Sequence, residues 1–139
     1  KLDKGKLGAV YFSYGERYLA GQTALLRDFM GILARRLFPN PQVEVSGSHL
    51  VDVCLNRKDG HISLSLVNTG GPHANPQVYT YDEVPPVGPL EVRLRLESNP
   101  RKIELQPGSR PLRWVWRGGA ARIQVPRVDI HEVVWVEEG

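Results

Sequence analysis

An antiparallel two-sheet β-sandwich, preceded by one strand and one amphipathic helix, is the architecture this mainly β sequence predicts. Three observations predict it. Short runs after residue 41 alternate apolar and polar residues, Gly, Pro, Asn and Asp punctuate those runs, and one stretch before residue 40 changes to a helical period. Alternation bounded by turn residues marks half-buried antiparallel strands, and seven or so of them pack as two sheets.

Residues 7–13 (LGAVYFS) form a short apolar run of the kind that makes a buried strand, and Tyr14-Gly15 breaks it. Over 23–37 the period becomes helical. Leu26, Phe29, Met30, Leu33 and Leu37 fall on one face, with Arg27, Asp28 and Arg35 largely elsewhere. Thr23 is positioned as N-cap, Arg35 and Arg36 suit the negative end of the helix dipole, and Pro39 forbids continuation. A strand followed by a helix is the half-unit of an α/β fold, and one such unit cannot bury both its faces. Residues 1–40 are therefore expected to end an upstream α/β domain, with the Leu26, Phe29, Met30, Leu33, Leu37 stripe as an interdomain contact. The opening Lys1-Leu2-Asp3-Lys4, without Met, fits a piece of a larger protein.

Pro39-Asn40-Pro41 reads as a joint, after which residues 41–139 are β throughout. Val51, Val53 and Leu55 alternate with polar neighbours, Asp59-Gly60 turns the chain, and Ile62, Leu64 and Leu66 return on the buried face. Residues 68–89 make a long connection rich in Gly, Pro and Asn, the kind that is functional, an interface element or a crossing between sheets. Val92, Leu94 and Leu96 mark the next strand, with Arg93 and Arg95 outward. Ile103 and Leu105 mark another before Pro107-Gly108. Leu112, Trp114 and Trp116 then share a face opposite Arg113 and Arg117. Gly118-Gly119 turns into residues 122–125, and the apolar run 130–136 suits a sheet interior.

An apolar fraction of 41% over 139 residues supports a real core. No apolar run approaches the length that crosses a bilayer, so no membrane partner is expected. The net charge of +3, from 18 basic and 15 acidic residues, is dispersed along the sequence. That reads as a solvated surface rather than a nucleic-acid footprint. The lone Cys54 leaves no internal disulfide and fits a reducing, cytoplasmic compartment.

No stretch spells out a catalytic constellation. His49, His61, His73 and His131 show no short metal-ligand spacing, so neither a metal nor another cofactor is expected. Alternation places Asp129 and His131 on one face and Glu132 on the other. Asp82-Glu83 are adjacent in the long connection, whereas glycosidic hydrolysis holds two carboxyls roughly 5 to 10 Å apart across a bond. Ser63 and Ser65 lack a nucleophile-elbow context, and nothing marks Cys54 as activated. The constellation to weigh is Trp114 and Trp116 with Tyr79 and Tyr81. Aromatic faces on a sandwich stack against the apolar side of sugar rings, but the same spacing aims both indoles at one face, most simply the core.

The order of elements resembles the C-terminal part of bacterial β-galactosidase-like glycoside hydrolases with a trimerisation domain. GAVYFSYGERYLAGQTALLRDFMGILARRLF is similar to the strand–helix pair that ends their flavodoxin-like domain. HLVDVCLNRKDGHISLSLVNTGGPH is similar to the first hairpin of the following small sandwich, and KIELQPGSRPLRWVWRGGAARIQVPRVDIHEVVWVE to its closing strands. The resemblance implies a carbohydrate-active parent whose catalytic acid and nucleophile belong to a barrel outside this chain. It therefore implies a non-catalytic accessory domain that partners an upstream catalytic domain or a homo-oligomer. A carbohydrate-binding module acting through exposed Trp and Tyr is the alternative.

Overall fold

The computed structural model describes residues 5–71 and 83–139, and the chain divides into two compact units, Lys1–Pro41 and Gln42–Gly139. The first unit holds helices α1 (Tyr14–Gly21) and α2 (Ala24–Leu37). The expected strand over 7–13 is not formed, and all but one of its residues are exposed. A segment that finds no neighbouring strand for its N–H and C=O groups gains nothing from extended pairing, and none pairs with 7–13 among the described residues. In place of a break at Tyr14-Gly15 the chain enters α1, which ends where Gln22 takes a left-handed conformation at φ +45°. Tyr14 donates its hydroxyl to the Leu26 carbonyl at 3.0 Å and stacks on Tyr18 at 6.0 Å, pinning the two helices together. Thr23 sits at the N-cap of α2 in extended conformation, but its side chain makes no capping bond.

The second unit is the antiparallel sandwich. Its strands are β1 (Val43–Ser46), β2 (Val51–Lys58), β3 (His61–Asn68), β4 (Leu90–Arg95), β5 (Lys102–Gln106), β6 (Arg110–Pro111), β7 (Arg113–Arg117), β8 (Ala120–Val125) and β9 (His131–Glu137). One sheet has the order β1-β4-β8-β7 and the other β2-β3-β9-β5-β6, with every pairing antiparallel. Turn chemistry sets the register of the two tightest hairpins. Asp59 and Gly60 at φ +52° and +75° join β2 to β3, and Gly118 and Gly119 at +59° and +73° join β7 to β8. Two consecutive positive φ values are those of the turn whose twist matches its strands.

The alternation of the strands becomes the inside and outside of the sandwich. Ile62, Leu64, Leu66, Val134 and Val136 from one sheet meet Val92, Leu94, Ala121, Ile123 and Val125 from the other in a single dry core. The apolar run near the end of the chain becomes β9, held on both sides by β3 and β5. One close approach depends on glycine. Gly47, just past β1, has φ +105°, and a Cβ there would lie 2.4 Å from the Pro89 carbonyl oxygen.

Candidate functional site

Alternation leaves each sheet one outer face, and the two faces differ in chemistry. On the five-stranded sheet, Trp135 is flanked across the ladder by Ser63 on β3 and Glu104 on β5. Its indole stacks on the His61 ring, with centroids 5.1 Å apart and planes 25° from parallel. Nδ1 of His61 is buried without a hydrogen-bond partner among the described residues. Glu104 is only 6% exposed. It accepts from Lys102 Nζ at 2.7 Å and from Gln106 Nε2 at 3.0 Å. The Lys102 bond holds the Glu104 carboxyl below the usual carboxylate range, against the upward push of burial.

The outer face of the four-stranded sheet is arginine-rich. Cross-strand rows set Arg93 between Glu44 and Arg122, with Val115 beyond; Glu91 beside Gln124, with Arg113 beyond; and Ala120 between Arg95 and Arg117. Arg93 pairs with Glu44, and Gln124 donates to Glu91 at 3.3 Å. A shallow depression of about 460 Å³ is lined by Arg113, Arg117 and Arg122 together with Glu91, Gln124, Val115 and Trp114. Basic residues that are dispersed along the sequence are thus gathered on one face by the pairing of β4, β7 and β8.

The residues singled out from the sequence are scattered. Trp114 and Trp116 are half-buried and packed against the core, on the side of β7 opposite its arginines. Tyr79, Tyr81, His73 and Asp82 lie outside the described residues, and Glu83 is exposed. Asp129 and Glu132 do not act together: Arg127 binds Asp129 at 2.6 Å, while Glu132 is buried and paired with Arg110. Cys54 and His49 are exposed, and Ser63 and Ser65 line the Trp135 face of β3. No group of three His, Cys, Asp or Glu residues suited to a metal ion occurs among the described residues. Of the helix stripe, Leu26, Met30 and Leu33 are half-buried, whereas Phe29 and Leu37 are 42% and 36% exposed.

Sequence reasoning passed over Trp135 because the run around it is apolar enough for an interior strand. The signal was present in the alternation: Glu132, Val134 and Val136 face inward, which turns Val133 and Trp135 outward. It also passed over Asn68, which ties three chain segments together at one end of the sandwich. Its Nδ2 donates to the Pro85 carbonyl at 2.8 Å and the Asp129 carbonyl at 2.7 Å, and its Oδ1 accepts from the Gly70 N–H at 2.8 Å.

The chain is thus an antiparallel two-sheet β-sandwich with an aromatic–polar cluster on one outer face and arginines on the other. No family model and no curated protein matches the sequence. Among solved structures, the chain is similar to alpha-L-fucosidase isoenzyme 2 from Paenibacillus thiaminolyticus, with a TM-score of 0.77 and 18% sequence identity. The match covers 91% of this chain but 20% of that one, so this chain spans about a fifth of the enzyme's length. At that identity the likeness shows the fold.

Proposed function

We propose that this chain is an accessory, non-catalytic β-sandwich of a glycoside-hydrolase-like protein, acting on its catalytic domain or on subunit assembly. The observation that carries the reading is the fold match: nearly the whole chain superposes on a small share of a glycosidase. The resemblance of the closing strands to those of β-galactosidase-like proteins supports the same class of parent. Apolar surface on the helical unit supports a covering partner, since Leu19, Leu25, Ile32 and Phe38 are each more than half exposed. The catalytic domain of the parent protein, or a second subunit, is the partner in this reading. The test is to delete residues 42–139 from the parent protein and measure subunit assembly, thermal stability and glycoside turnover. Loss of assembly or stability, with residual chemistry intact, is the expected result. Unchanged behaviour in all three would sink the reading.

A second reading is direct glycan binding, and Trp135 is the observation that favours it. An indole on an outer sheet face beside Ser63, Glu104 and His61 offers an apolar stacking surface within reach of hydrogen-bonding groups. A glycan array on the purified chain separates the readings. Binding lost in Trp135→Ala but kept in Trp116→Ala supports the module. Binding that survives Trp135→Ala refutes that placement.

A further inference from the structure

The arginine face of the four-stranded sheet has a charge balance unlike the rest of the sandwich. Five arginines, Arg93, Arg95, Arg113, Arg117 and Arg122, share it with Glu44 and Glu91, an excess equal to the whole chain's net charge of +3. Residues 42–139 as a whole carry 11 basic and 12 acidic residues, so the positive charge of this unit is concentrated on one face while the rest of it is acidic.

The arrangement carries a folding penalty. Arg93 and Arg122 stand directly opposite each other, and like charges in that position oppose strand pairing. Glu44 answers Arg93, but Arg113, Arg117 and Arg122 have no carboxylate ion pair among the described residues. Ala120, which lies between Arg95 and Arg117 on this face, is only 3% exposed. The small side chain leaves room for the two long flanking stems to close over the strand. Val115, 64% exposed, lies among the cations. The depression thus sets one exposed apolar side chain among three guanidinium groups, with Glu91 and Gln124 also in its lining.

We propose that this face binds an acidic polysaccharide, a chain of sugars bearing carboxylates. Guanidinium forks match carboxylates bidentately and are weakly hydrated, so they release water for such a partner more readily than ammonium groups would. A sugar ring presents an apolar C–H face beside its anionic group, matching the exposed Val115 between the arginines. A single-stranded nucleic acid fits less well, because no exposed aromatic side chain stands on this face, among the described residues, for base stacking. The choice of a glycan as ligand class rests on the glycoside-hydrolase reading; the anion preference rests on the face itself.

Affinity electrophoresis and titration calorimetry of the full chain with polygalacturonate, neutral dextran and a single-stranded DNA oligomer test the proposal. Polygalacturonate should bind, and binding should weaken as salt is raised. The triple variant Arg113→Ala, Arg117→Ala, Arg122→Ala should lose about tenfold or more in affinity, the scale of one lost charge-assisted contact. A charge-matched control, Arg57→Ala, Arg101→Ala, Arg127→Ala, removes equal charge away from the face and should retain binding. Tryptophan-monitored melting confirms that both variants fold; should the triple variant fail to fold, Arg122→Gln alone, with the same readout, replaces it. Equal losses in the two triples, tighter binding of DNA, or no binding of polygalacturonate would each overturn the proposal. Dextran binding that ignores the arginines would also overturn it, while leaving the glycoside-hydrolase reading intact.

Discussion

Replacing Asn68 by Ala should be among the most damaging single changes available to the sandwich. The side chain is 8% exposed and makes three hydrogen bonds, to Pro85, Asp129 and Gly70. Each bond contributes about 1 kcal/mol, and the groups left unsatisfied by truncation cost somewhat more, so the loss is about 3 kcal/mol. For a domain of roughly 100 residues that lowers the melting temperature by roughly 10 to 25 °C. All three tryptophans, Trp114, Trp116 and Trp135, lie in the sandwich, so their fluorescence during urea and thermal unfolding reports this unit without interference from the helices. Asn68→Asp sharpens the test. The carboxylate keeps the bond from the Gly70 N–H but turns oxygen toward two carbonyls, so its ionised form is disfavoured in the fold. Its folded pKa is then raised, and the variant should regain stability as pH falls and the carboxyl becomes protonated. A loss under about 1 kcal/mol in Asn68→Ala would refute the idea that this residue ties the sandwich end together.

Other perturbations probe separate parts of the molecule. Gly47→Ala should destabilise by more than about 2 kcal/mol, because the new Cβ meets the Pro89 carbonyl at 2.4 Å as well as the strain of positive φ. Gly108→Ala, at φ +94° with open space around it, should lose only the strain of about 1 kcal/mol; urea midpoints compare the two. The depressed Glu104 carboxyl should contribute stability that is full above its unfolded value of about 4.3 and fades as pH falls through the lower folded value. Acid unfolding curves of the parent and Glu104→Gln should therefore converge at low pH, and parallel curves would count against the Lys102 contact. Amide hydrogen exchange in the isolated chain should be fast across α1 and α2, in which no residue is buried, and slow in β3 and β9.

The sandwich was readable from sequence because its strands obey local rules. Asp59-Gly60 and Gly118-Gly119 announce their turns, and Ile62, Leu64 and Leu66 or Val92, Leu94 and Leu96 announce a buried face. The N-terminal strand was misread because 7–13 has the composition of a strand but pairs with no strand among the described residues, and propensity is outweighed by that lack. Alternation showed that Arg93, Arg95, Arg113 and Arg117 leave the core side of their strands, but not that they meet on one face. Arg93, Arg113 and Arg122 come from three strands, and only the order β4-β8-β7 makes them neighbours. Burial of Glu132 was equally hidden, since its cation, Arg110, comes from a distant strand, whereas the partner of Glu104, Lys102, stands two residues before it on β5.

The central place of β9 bears on the order in which the protein can assemble during synthesis. By the time Val125 has emerged from the ribosome, every strand of the four-stranded sheet exists and that sheet can close. Its partner cannot. The β2–β3 hairpin and the β5–β6 pair are both complete in sequence by then, yet each waits with an open edge for the same missing ribbon. A nascent chain halted before His131 would be half a sandwich with two sticky margins, an aggregation-prone species. Chaperone demand should therefore fall abruptly as the final strand slides between its two waiting neighbours.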